Sequence, residues 1–156
     1  MNEPAPPELA EHPVAIALPV QWGDQDAFGH VNNVVHFRWM ESARIHYFGR
    51  AGLGHLMSNV GQGPILASIK CDYRRQLTYP DTVLISSSIT SIGRTSLKMA
   101  HRIYSSAQKA VAGEGESVIV MFDYAAQKPV PVSDEIRAII EGLEKQAAKQ
   151  NTDQTG

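Results

Sequence analysis

Apolar and polar positions recur along the chain with a period that changes from segment to segment. Val14 to Trp22 reads as a first strand, followed by a turn-rich stretch from Gly23 to Asn33. From Val34 to about Phe48 the spacing becomes helical. His36, Phe37, Met40, Ala43, Arg44 and Tyr47 fall on one stripe, and Val35, Trp39 and Phe48 widen it. A helix that is apolar around most of its circumference is a buried one. Asn32 or Asn33 is placed to cap its start, and Gly49 its end. After Pro64 the period falls to two: Ile65, Ala67, Ile69, Cys71 and Tyr73 alternate with Ser68, Lys70, Asp72 and Arg74. Tyr79-Pro80-Asp81 marks a turn, and Thr82 to Ile92 is a third strand rich in β-branched residues and serine. Gly93-Arg94 is a short hairpin connection before Thr95 to Tyr104. Ala110 to Tyr124 is a long last strand, apolar on both faces from Val118 to Phe122, which predicts an interior position in a sheet. Pro129 and Pro131 end it, and Ser133 caps a terminal helix with Ile136, Ile139, Ile140 and Leu143 on its apolar side.

One apolar helix must be covered by something large. Four strands with short connections follow it, too close together for parallel crossovers. The expected class is therefore α+β, with a five-stranded antiparallel sheet wrapped around one long central helix. Residues 1–12, rich in proline and glutamate, are expected to be a disordered tail, as are the polar residues 145–156, which leaves one domain over 13–144.

Composition narrows the function. The 156 residues suit a single domain, and a formal net charge of −2 lacks the basic excess of nucleic-acid binders. The one cysteine, Cys71, can form no internal disulfide. The N-terminus has no apolar core like that of a secretory signal, and no run approaches the roughly 18 apolar residues of a membrane span. The expected location is cytoplasmic.

The chemistry is concentrated in Gln21 to Arg44, QWGDQDAFGHVNNVVHFRWMESAR. Between Asp24 and Asn33 lie two carboxylates, one imidazole and three side-chain amides, on a loop that ends at a helix N-terminus. Such a terminus offers unpaired N–H groups and partial positive charge, which a developing oxyanion needs. A carboxylate just before it can act as base or nucleophile. Aspartate and asparagine also build turns and caps for structural reasons alone.

The run W-G-D-Q-D-A-F-G-H-V-N-N, followed by a helix containing F-R-W-M-E-S-A-R, resembles the 4-hydroxybenzoyl-CoA thioesterase family of hot-dog-fold proteins. Gly63-Pro64-Ile65-Leu66, the G-R-T-S turn at 93–96 and Pro129-Val130-Pro131 fit the same pattern in order and spacing. The resemblance implies hydrolysis of acyl-CoA thioesters without a metal or redox cofactor, coenzyme A being part of the substrate. It implies that Asp26 is the catalytic carboxylate and that a backbone N–H at or near Asn33 is the oxyanion donor. It implies a homodimer or homotetramer with the site at the subunit interface. His30 matches a histidine of related acyl-carrier-protein thioesterases with a D-x-N-x-H pattern, whereas Phe28 stands where those have an amide.

Gly29, Phe28, Val34 and Gly63 are the expected substrate-binding residues, and Arg74, Arg75 and Arg94 are candidates for the CoA phosphates. Glu41 is expected to pair with Arg44, Arg38 or a neighbouring strand, Cys71 to be a small buried hydrophobe, and His101 to belong to the core or an interface. The D-x-D has no third hard ligand at useful spacing, so no metal site is expected. The acyl group, aliphatic or aromatic, is open, with the H-V-N-N form closer to aliphatic members. The alternative to hydrolysis is a hot-dog module that holds an acyl-CoA or acyl carrier protein without cleaving it.

Overall fold

The computed structural model describes residues 5–57 and 61–153. In chain order the elements are β1 (Val14–Pro19), α1 (Asn33–Arg50), β2 (Gln62–Tyr73), β3 (Thr82–Ile92), β4 (Ser96–Ser105), β5 (Ala110–Asp123), β6 (Lys128–Pro129) and α2 (Asp134–Asp153). The sheet order is β1-β3-β4-β5-β2, antiparallel throughout, with β5 in the interior as its two apolar faces predict. The two-residue β6 pairs with β5 and makes the sheet six-stranded rather than five-stranded.

The sheet curls around α1 in the hot-dog arrangement. Tyr47 and Phe48 of α1 pack with Leu97, Met99, Ile119 and Met121 of the sheet and Ile140 of α2. Val35, Trp39, Met40 and Ala43 pack with Val83, Ile85, Ile103 and Ala112. The close approach depends on Gly115, where an added Cβ would overlap the Met40 sulfur and stand 3.0 Å from the Lys70 carbonyl. Met40 is fully buried and has little room to yield. Gly115→Ala should therefore cost about 1–3 kcal/mol of stability, as overpacked cores do. A denaturation midpoint unchanged from wild type would mean that the helix can slide to make room.

Several elements depart from the sequence expectation. Leu66 stands opposite Ile119 while Ser68 stands opposite Val118, so Ala67 is an extra residue, a β-bulge. A one-residue slip exchanges faces, and Leu66, not Ile65, shares the face of Ile69, Cys71 and Tyr73. α1 runs past Gly49 to Arg50, with Ala51 as its helical C-cap and Gly52 taking the positive φ of 74°. Residues 5–12 are not a loose tail where they are described. Pro7–Leu9 forms a 3-10 turn, Leu9 is 2% exposed, the His12 ring meets Ser86 Oγ at 2.7 Å, and Arg102 reaches the Glu8 carbonyl and the Glu11 carboxylate. One leucine anchors the segment once a sheet face is there to receive it. α2 likewise continues through 145–153, with Ala147 buried.

β1 pairs with β3 only as far as Ser87. Beyond it, α2 closes the edge of β3. Glu144 accepts the Ile89 N–H at 2.7 Å, the Tyr47 hydroxyl at 2.6 Å and the Ser88 hydroxyl at 2.7 Å. Arg137 donates to the carbonyls of Ile92 and Gly93.

Glu41 is exposed and its expected ion pairs are not formed: Arg38 turns to Asp24, and the buried Arg44 donates to Ser117 Oγ at 3.2 Å. His101, 1% exposed, lies between Ser87 Oγ and Ser117 Oγ at 3.0 and 2.9 Å. Burial, with the Arg44 charge nearby, holds its imidazole down to about 3, so it is a neutral core residue. Cys71 is half-buried on the helix-facing side, and burial pushes its thiol up to about 11, which removes the thiolate a nucleophile needs.

Candidate active site

The loop between β1 and α1 assigns its two aspartates different work. Asp24 closes a 3-10 turn over Trp22–Asp24 and is 6% exposed. One of its oxygens accepts the Gln21 N–H at 2.8 Å, the other accepts Arg38 at 2.8 Å, and its carbonyl accepts the Asn32 N–H at 2.9 Å. A carboxylate so fully engaged is scaffold. Asp26 is exposed, and only its Oδ1 is held, by the Phe28 N–H at 2.9 Å. Its backbone is tied twice, N–H to the His30 carbonyl at 2.9 Å and carbonyl to the Gly29 N–H at 3.0 Å. Gly29 sits at φ 80°, a conformation that favours glycine, and makes this tight return possible. The Asp26 carboxylate is thus aimed by its turn while Oδ2 has no protein donor among the described residues.

The first turn of α1 must satisfy its N–H groups without preceding helical carbonyls. Asn32 is the cap: its Oδ1 accepts the Val34 N–H at 3.1 Å and its carbonyl accepts the Val35 N–H at 3.0 Å. The Asn33 N–H is left with no acceptor among the described residues. Helix-terminal N–H groups of this kind bind negative charge.

Asp26 and Asn33 both line one cavity of about 440 Å³. It brings together Asp26, Phe28, His30, Asn33, Arg74 and Arg75 from the sequence expectation, with Val31, His36, Tyr73, Gln76 and Leu77. Phe28 is 87% exposed at its rim. Arg74 is partly engaged with Glu114 at 3.2 Å. Val34 and Gly29 neighbour the cavity in sequence but do not line it. Gly63 lies ten residues from Tyr73 along β2, on the order of 33 Å for a strand. There its bare Cα lets the Leu56 carbonyl approach. Arg94 is in the β3–β4 turn, where its carbonyl accepts the Val132 N–H. Neither reaches this cavity within one chain. A larger cavity of about 680 Å³ lies between Pro6 and Pro7 and the sheet near Leu84 and Tyr104. It pairs no carboxylate with a free helix N–H, so the smaller one is the candidate site.

His36 and Tyr73 were legible only as positions in a helical stripe and a strand alternation. The His36 ring, 3% exposed, meets the Asn32 carbonyl at 3.3 Å, and burial lowers its basicity so that it stays neutral. The Tyr73 ring stands edge-on to it, centroids 4.8 Å apart at 84°, and the Tyr73 hydroxyl donates to the Asn33 carbonyl at 3.1 Å. Among the described residues no three His, Cys, Asp or Glu side chains are grouped to hold a metal ion. No described helix is long and apolar enough to cross a membrane.

Residues 20–140 match the family model of the thioesterase-like superfamily. The chain belongs to this superfamily. The matched span takes in the D-x-D loop, α1, strands β2 to β6 and the start of α2. A relative by sequence is the uncharacterized protein YsmA of Bacillus subtilis (strain 168), 30% identical over 116 residues, which are 74% of this chain and 77% of YsmA. Among solved structures, a thioesterase from Thermus thermophilus complexed with coenzyme A and Zn is 32% identical, with a TM-score of 0.75 over 86% of this chain and 97% of that one. The DHNA-CoA thioesterase from Staphylococcus aureus shares the fold at 17% identity, with a TM-score of 0.75 over 88% of this chain and 93% of that one.

Proposed function

We propose that the protein is an acyl-CoA thioesterase of the 4-hydroxybenzoyl-CoA thioesterase type, releasing a free carboxylic acid and CoA. One observation carries the reading: Asp26, with an unengaged carboxylate oxygen, and Asn33, with an unpaired helix N–H, line one cavity. A thioester carbonyl oxygen gains negative charge as its carbon is attacked. The Asn33 N–H, with the dipole of α1 behind it, stabilises that charge. Asp26 either attacks the carbonyl carbon, giving a mixed anhydride that water then opens, or takes a proton from the attacking water. His30, at the cavity wall, orients that water. The reaction so drawn uses no metal or redox cofactor.

Arg74 and Arg75 are suited to the CoA phosphates, and Phe28 and Leu77 to the acyl group. The CoA complex of the Thermus thermophilus relative supports a CoA ligand. A homo-oligomer is part of the reading, because β2 is a long edge strand with Ile65 and Leu66 38% and 42% exposed.

The test is thiol release from a panel of short, long, branched and aromatic acyl-CoAs. Release above the uncatalysed rate from at least one of them is expected, aliphatic members favoured. Binding without release from any member would move the protein to the class of non-hydrolytic acyl-CoA or acyl-carrier-protein modules.

A further inference from the structure

We infer that Tyr73 is a positioning residue for thioester cleavage, fixing the Asn33–Val34 peptide so that the Asn33 N–H, on the other side of the same Cα, stays aimed at the reacting carbonyl. The inference rests on the thioesterase reading and adds to it a residue from a different element. Asn33 is held from both sides. The Asn32–Asn33 peptide that carries the N–H is held through the Asn32 carbonyl, which accepts the Val35 N–H at 3.0 Å, and the peptide before it is tied by the Asn32 N–H to the Asp24 carbonyl at 2.9 Å, with Asp24 locked by Arg38. The Asn33–Val34 peptide is tied by the Tyr73 hydroxyl to the Asn33 carbonyl at 3.1 Å. The bond to Asp24 belongs to the D-x-D loop. The bond from Tyr73 comes from the far end of β2, forty residues along the chain.

Tyr73 is 46% exposed, so its hydroxyl could be solvated at little cost, yet it is directed at a carbonyl of the helix terminus. Its ring leans edge-on against His36, which lies one turn further along α1 and is itself bonded to the Asn32 carbonyl. Ring and hydroxyl together brace the first turn at residues 32, 33 and 36. The bulge at Ala67 gives Tyr73 the helix-facing side together with Leu66. A donor fixed before the reaction stabilises an oxyanion without reorganising at the moment of attack, and small misplacements of such groups are costly.

The experiment compares wild type, Tyr73→Phe and Tyr73→Leu in thiol release, using the acyl-CoA that wild type hydrolyses fastest. Tyr73→Phe keeps the ring and loses only the hydroxyl. It should lower kcat about tenfold, with KM within about twofold and the thermal midpoint unchanged; tenfold corresponds to about 1.4 kcal/mol of barrier. Tyr73→Leu also removes the brace on His36 and should lower kcat further. The backbone amide resonance of Asn33 should shift in Tyr73→Phe, which a distant packing role would not produce. Wild-type kcat in Tyr73→Phe overturns the inference while leaving the thioesterase reading intact. A raised KM at unchanged kcat also overturns it, because Tyr73 would then be touching bound substrate. No hydrolysis by wild type overturns the thioesterase reading and this inference with it.

Discussion

Asp26→Asn should leave the fold intact and lower kcat by about 10²–10⁴-fold, the range associated with a positioned proton-transfer group. The fold survives because the substitution keeps what the structure uses. Asn retains an oxygen to accept the Phe28 N–H, and the two backbone bonds that tie residue 26 to His30 and Gly29 are untouched. The side chain is exposed, so no buried charge is left unpaired. What disappears is the free carboxylate oxygen, and an amide is neither a base nor a nucleophile of comparable strength. The check is thiol release beside a thermal melt. Activity within tenfold of wild type at an unchanged midpoint would remove Asp26 from the mechanism. A single turnover of the wild-type protein in heavy-oxygen water tests direct attack: label entering the Asp26 carboxylate means that Asp26 attacks and water opens the anhydride at the aspartyl carbon, whereas label confined to the product acid places water on the acyl carbon.

Glu144→Ala should cost on the order of 3 kcal/mol of stability, because it strands donors that cannot all reach water, each at about 1–3 kcal/mol. The Tyr47 hydroxyl belongs to a fully buried side chain, Ser88 is 9% exposed, and the Ile89 N–H lies on a strand edge that β1 no longer covers. Serine can rotate toward another acceptor; the tyrosine and the amide have less choice. Glu144→Gln, which keeps one acceptor oxygen, should lose about half as much. Urea titrations of the three proteins measure the differences from their midpoints and slopes. A loss under about 0.5 kcal/mol for the alanine variant would mean that α2 is held by its apolar side alone.

Glu144 also illustrates what was readable beforehand. The apolar positions of α2 were evident, but the polar residue that pins it was not, because its partners sit on α1 and β3. Helix α1 was legible almost to the residue, since nearly every turn carries buried side chains and Asn32 caps it. The D-x-D loop was legible as a chemical cluster, but not its division of labour. That division depends on Arg38, which lies fourteen residues from Asp24 in sequence and 2.8 Å from it in space. The bulge at Ala67 was invisible, because alternation of period two carries no mark of one extra residue. Leu9 was too isolated to announce a buried segment. His36 and Tyr73 read as ordinary stripe and strand positions, and only the packing of β2 beside α1 gives them a common neighbour in Asn33. Gly63 was expected at the site by resemblance and Arg94 as a basic residue near a strand end, and the curl of the sheet carries them elsewhere within one chain.

The two borders of the sheet are unequal. On one side β1 is six residues long and ends on Pro19, and α2 closes the strand behind it. On the other, β2 is a twelve-residue strand that pairs only with β5. A molecule with one long adhesive border and one blunted border cannot polymerise through it. Any second copy that docks along β2 uses up both long borders at once, so association through this face ends with a pair and gives no template for a fibre.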